Sequence, residues 1–216
     1  MRRALIVSGG TMDCDFGRNY TERYGFDYKI AVDFGLQFFY DAELMPDMIV
    51  GDFDSADEET LHYFEAQKKI AWMRLNPMKD DTDTEAALKH AVAQGAEEIH
   101  ILGGTGNRLD HLLGNIGLLG MGFETDTKIF LTDPKNRLQM IQKDLKLLKT
   151  EQYGTYVSLL PVTPEVTGIT LTGMKYPLKD YTMKCYRTIG ISNEILEDEA
   201  WIRLKNGTLL VMESKD

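Results

Sequence analysis

Residues 98–116 read EIHILGGTGNRLDHLLGNI. A short apolar-rich run, Glu98 to Leu102, ends abruptly in glycines. A stripe at helical spacing then begins, with Leu109, Leu112, Leu113 and Ile116 following the i, i+3, i+4, i+7 rule. Strand, glycine loop and helix in that order make one βα unit. The same grammar recurs upstream. Apolar runs at Ala4–Val7, Tyr28–Asp33, Met48–Asp52 and Ile70–Leu75 precede loops or helical segments, and Lys128–Thr132 supplies a sixth run. Ser55-Ala56-Asp57-Glu58 reads as a capping box opening a helix to about Lys68. Thr82-Asp83-Thr84-Glu85 reads as another, with Ala87, Leu88, Ala91 and Val92 on one face and Gly95 as the stop. Strands alternating with helices predict an α/β fold, a doubly wound, mostly parallel sheet with helices on both faces.

The pattern changes after about Pro134. Tyr156–Leu160, Val166–Leu171 and Trp201–Met212 read as strands with no helices between them. Lys205-Asn206-Gly207-Thr208 reads as a type I′ hairpin within the last. A smaller antiparallel β unit is expected there, dividing the chain into domains at 1–134 and 135–216.

The chain has 216 residues and is 43% hydrophobic, enough for a substantial core. Lysine and arginine number 24 against 34 aspartates and glutamates, a net charge of −10 with no basic run, which argues against nucleic-acid binding. Cys14 and Cys185 form no zinc or disulfide framework. The four-residue apolar run near the start is too short for a signal peptide, and nothing approaches the roughly 18 apolar residues of a membrane span. These features predict a soluble, cytoplasmic protein.

In a parallel sheet the carboxyl ends of the strands share one edge, where ligands bind. That rule gathers Asp33, Asp52, Asp54, Lys79, Asp80, Asp83, Arg108, Asp110 and His111 on one rim. Asp52 and Asp54 flank Phe53, and an extended backbone would aim both acids one way and Phe53 at the core. Close carboxylates repel unless a cation sits between them. Hard oxygen donors from separate loops suit Mg²⁺, which shares its shell between carboxylates and phosphate oxygens. Asp83 serves equally as a favourable charge at a helix start. Ser55 and Thr82 read as caps, and Asp81 as a solvated neighbour. The glycines at 103–106 let backbone N–H groups approach an anion, although neither a Walker loop nor GxGxxG occurs. Arg108 offers a fork for phosphate oxygens. His111 is either a proton acceptor or a first-turn polar residue, while His62, His90 and His100 have no partner visible in the sequence.

Taken together, Gly51–Ser55 (GDFDS), Lys79–Asp83 (KDDTD) and Gly103–His111 (GGTGNRLDH) resemble the motifs of the thiamine pyrophosphokinase family, in the family's order. Gly173–Leu178 (GMKYPL) and Gly190–Glu194 (GISNE) are similar to its thiamine-side segments. The resemblance implies an α/β nucleotide-binding catalytic domain followed by a β-sandwich thiamine-binding domain, in a homodimer with thiamine near the subunit interface. It implies transfer of the pyrophosphoryl group of ATP to the hydroxyethyl oxygen of thiamine, releasing AMP. By it Asp52, Asp54 and Asp83 hold Mg²⁺ with Asp80 close by. Lys79 and Arg108 steady the phosphates, with Asp33, Gly104 and His111 on the ATP side. Tyr176 stacks on the aminopyrimidine beside Ser192 and Asn193. Asp110, His111 or a metal-adjacent aspartate is the candidate base. The chain departs from the common pattern at Phe34 and Asn107, each where the family often has glycine. Two other classes compete: a phosphohydrolase using Asp52 as nucleophile and Asp54 as acid, or a glycosyltransferase holding a metal–nucleotide through DxD; and a non-catalytic nucleotide- or metal-binding regulator.

Overall fold

The computed structural model describes residues 2–53, 57–76, 81–106 and 108–216. The sequence expectations for Asp54, Ser55, Lys79, Asp80 and Asn107 lie outside these residues. The chain divides into two compact units, Met1–Pro134 and Lys135–Asp216.

The first unit alternates strands and helices: β1 (Arg3–Val7), α1 (Cys14–Tyr24), β2 (Tyr28–Val32), α2 (Gly35–Asp41), β3 (Met48–Gly51), α3 (Glu58–Glu65), β4 (Ala71–Arg74), α4 (Asp83–Ala93), β5 (Glu98–Leu102), α5 (Leu109–Leu118), α6 (Gly122–Thr125) and β6 (Lys128–Thr132). The strands lie in the order β6-β5-β1-β2-β3-β4 and every pairing in this set is parallel. β1, β3 and β5 are almost wholly buried, which is why they read as unbroken apolar runs. The chain moves outward from β1 to β4, then returns to β5 and β6 on the other side. Right-handed crossovers therefore put α1–α3 on one face and α4–α5 on the other. The order reverses between β1 and β5, and that is the crevice this topology opens to a ligand.

Local chemistry explains the ends of the helices. Thr82 caps α4 by accepting from the Glu85 backbone N–H at 3.2 Å, as its spacing predicts. The cap of α3 is Asp57, which accepts from Thr60 N at 3.0 Å, so the helix starts two residues later than one capped at Ser55 would. The leucine stripe of α5 is not all inward. Leu109 and Leu113 are 74% and 66% exposed. The buried side of α5 carries Asn115 instead.

His90 and His100 do have partners. Tyr28 Oη lies 3.2 Å from His90 Nε2. His100 is fully buried between Tyr20 Oη, 2.6 Å from its Nδ1, and Glu98 Oε1, 3.1 Å from its Nε2. Arg3 Nε donates to the same Glu98 oxygen at 2.7 Å. These bonds draw Glu98 down to about 2, the His100 bond being the largest cause and Arg3 a lesser one, against the opposing effect of burial.

The second unit contains β7 (Asn136–Ile141), β8 (Leu145–Leu148), β9 (Tyr156–Pro161), β10 (Glu165–Thr172), β11 (Leu178–Lys184), β12 (Asn193–Glu194), β13 (Glu199–Arg203) and β14 (Leu209–Ser214). Antiparallel pairing gives the orders β12-β9-β14-β7 and β11-β10-β13-β8. Residues from both sets, among them Val157, Leu159, Val211, Ile169, Met183 and Ile202, fill one core, so the unit is a sandwich. The expected hairpin at Asn206-Gly207 is not formed. β13 and β14 belong to different sheets, and Asn206 bridges to Thr167 while Thr208 N donates to Thr163 Oγ1. Gly207 takes the left-handed φ of +103° that Asn-Gly favours, but uses it to cross between layers.

Among the described residues no helix is long and apolar enough to cross a membrane.

Candidate functional site

A cavity of about 620 Å³ opens in the first unit, and its wall includes the loops that follow β1 and β5. Its floor is main chain. Ser8 N donates to Leu102 O at 2.8 Å, and Gly10 N to Gly103 O at 2.9 Å, so the two loops are stitched together edge to edge. Gly103 has φ +67°, and a Cβ there would lie 2.4 Å from Ser8 O. Only glycine permits that approach. Ser8 Oγ lies 2.9 Å from Thr84 Oγ1, tying the end of β1 to the first turn of α4. Asn115 Nδ2 donates to Gly104 O at 2.9 Å and fixes the second loop from below.

The strand-end rule brings Asp33, Asp52 and Asp83 to this cavity together with Gly104, Arg108 and His111. Phe34, half-exposed, stands on the wall. The segment Asp52-Phe53 is not extended, because Phe53 has φ +64°. The alternation argument for aiming two acids alike therefore fails at Phe53, although its ring does face the core at 7% exposure.

Arg108 and Asp110 form a two-pronged pair, Nε to Oδ1 at 3.1 Å and Nη2 to Oδ2 at 2.6 Å. The Arg108 bonds, with a further one from the His111 backbone N–H, pull Asp110 down to about 2. Asp110 is not part of the cavity wall. A carboxylate so reluctant to take a proton suits a partner that aims Arg108 better than it suits a base.

Carboxylate oxygens are the right donors for Mg²⁺. Among the described residues no three His, Cys, Asp or Glu side chains converge closely enough to hold a metal by themselves. Asp52 and Asp83 on the cavity wall offer such oxygens, and an ion held there would complete its shell with further oxygen donors such as phosphate and water.

In the second unit, the residues expected on the thiamine side lie together. Tyr176 is 58% exposed, and its backbone N–H donates to Asn193 Oδ1 at 2.9 Å while Asn193 Nδ2 donates to Tyr176 O at 2.8 Å. Asn193 is buried and thus braces the tyrosine. Ser192, at φ +58°, has its backbone N–H on Ser158 Oγ at 3.0 Å.

Sequence reasoning missed Ser8, Thr11, Thr84 and Asn115 as parts of the site. The Ser8-Gly9-Gly10 turn at a strand's carboxyl end was the available signal for the first of these.

Two family models match: thiamin pyrophosphokinase, catalytic domain, over residues 23–131, and thiamin pyrophosphokinase, vitamin B1 binding domain, over 143–209. The thiamine pyrophosphokinase of Bacillus subtilis (strain 168) is 34% identical over 228 residues, covering 100% of both chains. Among solved structures, thiamine pyrophosphokinase from Bacillus subtilis is similar with a TM-score of 0.90 at 32% identity, covering 100% of each chain. Thiamin pyrophosphokinase from Geobacillus thermodenitrificans is similar with a TM-score of 0.85 at 30% identity, covering 99% of this chain and 98% of its own.

Proposed function

Because the chain belongs to the thiamin pyrophosphokinase family, we propose that it transfers the pyrophosphoryl group of ATP to the hydroxyethyl oxygen of thiamine, giving thiamine diphosphate and AMP. The observation that carries this reading is one cavity whose wall combines Asp33, Asp52 and Asp83 with Arg108 over a glycine floor. Transfer of this kind needs positioning and cationic neutralisation more than covalent help.

Asp52, Asp54 and Asp83 would hold Mg²⁺, with Asp80 close by in sequence to Asp83. Such an ion would supply neutralisation of phosphate charge. The backbone N–H groups of the 103–106 loop and Arg108 orient the phosphates, with Lys79 as a second cation. Asp33, Gly104 and His111 line the nucleotide side. Asp110 occupies the fork of Arg108 until phosphate oxygens replace it. His111, exposed on the rim, is the better candidate to receive the hydroxyl proton. In the second unit Tyr176, propped by Asn193 and flanked by Ser192, offers a flat face to the aminopyrimidine. The reading thus divides labour between residues 1–134, for ATP and metal, and 135–216, for thiamine, in a cytoplasmic homodimer.

The hydrolase reading needs its nucleophile after the first strand of the sheet sequence, and Asp52 follows the third, β3. AMP release from Mg²⁺–ATP that depends on thiamine tests the proposal. Orthophosphate release from sugar phosphates, or tight nucleotide binding with no turnover, would overturn it.

A further inference from the structure

The left-handed backbone at Phe53 is an outlier for a bulky residue, and such a conformation persists only where the surroundings over-determine it. The surroundings here are specific. β3 and β4 run parallel with Gly51 opposite Arg74, and Leu75 N donates to Gly51 O at 3.0 Å. Trp72 and Arg74, two apart on β4, project to the same side. The Trp72 ring meets Phe53 edge-on, centroids 5.2 Å apart at 71°. The Arg74 guanidinium lies 5.5 Å from the centroid of the Phe53 ring and 5.5 Å from that of Trp72, so it caps both. Glu65, at the end of α3, holds Arg74 Nη2 at 2.8 Å. On the near side of the acid, a Cβ at Gly51 would lie 2.0 Å from Asp33 Oδ1, so the chain turns directly against Asp33. Asp52 is therefore strung between two fixed points, a glycine locked in the ladder and an aromatic ring locked in a clamp. Neither Trp72, Arg74 nor Glu65 reaches the cavity wall.

We propose that Trp72, Arg74 and Glu65 clamp the Phe53 ring and thereby set the direction of the Asp52 carboxylate toward the metal–nucleotide. They are positioning residues, not catalytic ones. The inference rests on the function proposed above, because it takes Asp52 as a metal ligand.

The test is Mn²⁺ binding to the full chain with ATP present, followed by electron paramagnetic resonance, beside the Mg²⁺ dependence of AMP release. Trp72→Leu and Arg74→Met are each expected to raise the Mn²⁺ dissociation constant about two- to tenfold, the size of one lost aromatic or cation–π contact. The Michaelis constant for thiamine stays unchanged, and Trp72→Phe restores binding. Phe53→Gly relieves the backbone strain but removes the ring, and is expected to weaken Mn²⁺ at least as much. Wild-type affinity in Phe53→Gly overturns the clamp. A lower melting temperature in Trp72→Leu with unaltered Mn²⁺ affinity overturns it too, since that is the signature of simple packing; Arg74, 61% exposed, gives a variant whose folding is not at stake. A wild-type chain that binds Mn²⁺ but releases no AMP refutes the proposed function, and the comparison of Mn²⁺ affinities still decides the clamp.

Discussion

Glu98 and Asp110 are both pulled down to about 2, one inside the sheet and the other at the rim of the cavity. Glu98 is 8% exposed and sits in a closed circuit with His100, Tyr20 and Arg3. A carboxylate has no proton to give, so the imidazole donates from Nε2 and, in the neutral ring, accepts from Tyr20 at Nδ1. The side chain of Asp110 is 63% exposed and has Arg108 as its side-chain partner. The two groups show the same displacement for different reasons. In the sheet, the low proton affinity marks a network on which folding depends. At the rim, water screens the pair, and its contribution to stability is small. What Arg108–Asp110 preserves is the orientation of a guanidinium.

Four experiments would break or sharpen that contrast. Glu98→Ala leaves His100 buried and without its acceptor, and is expected to cost about 3 kcal/mol of stability at pH 7 by urea titration. Turnover per folded molecule should be unchanged. Arg108→Ala should do the reverse: kcat/KM for ATP falls about tenfold to a hundredfold, while the unfolding free energy from urea titration changes by no more than about 0.5 kcal/mol. Acid separates the two groups next. The folded-state value of Glu98 lies below its ordinary 4.5, so its contribution is present above that pH and is lost as pH falls toward 2. Glu98→Gln should flatten the stability curve across that window, and a curve as steep as wild type would show that the circuit carries no such weight. Asp110→Asn should give the smallest change, about threefold in KM for ATP with kcat preserved, consistent with the weak energetics of an exposed pair. A fall of a hundredfold or more in kcat would instead make Asp110 the base.

The same contrast marks what could be read from the sequence. β1, β3 and β5 announce themselves because strands buried on both faces are apolar without interruption. Asp33, Asp52 and Asp83 were legible because the end of a parallel strand is a fixed address. The Glu98–His100 spacing was in view, yet Tyr20 stands eighty residues away, and no local rule links it to that histidine. Asn206-Gly207 encodes a left-handed bend faithfully, but the bend does not say whether the next strand pairs with the last or departs for the other sheet. Ser8 and Asn115 were missed because they serve the site through the main chain they hold, and such residues carry no chemical badge. At Phe53 the extended backbone that alternation presumes gives way to a left-handed φ of +64°, and the ring meets Trp72 and Arg74 of β4, which no local rule foretells.

The stitched glycine loops have a consequence for anyone wishing to alter what this pocket accepts. A surface made of peptide units offers no side chain to exchange, and Gly103 has no room for one. Selectivity can be rewritten only on the walls, at positions such as Phe34 or Thr11, while the floor passes unchanged from one redesign to the next.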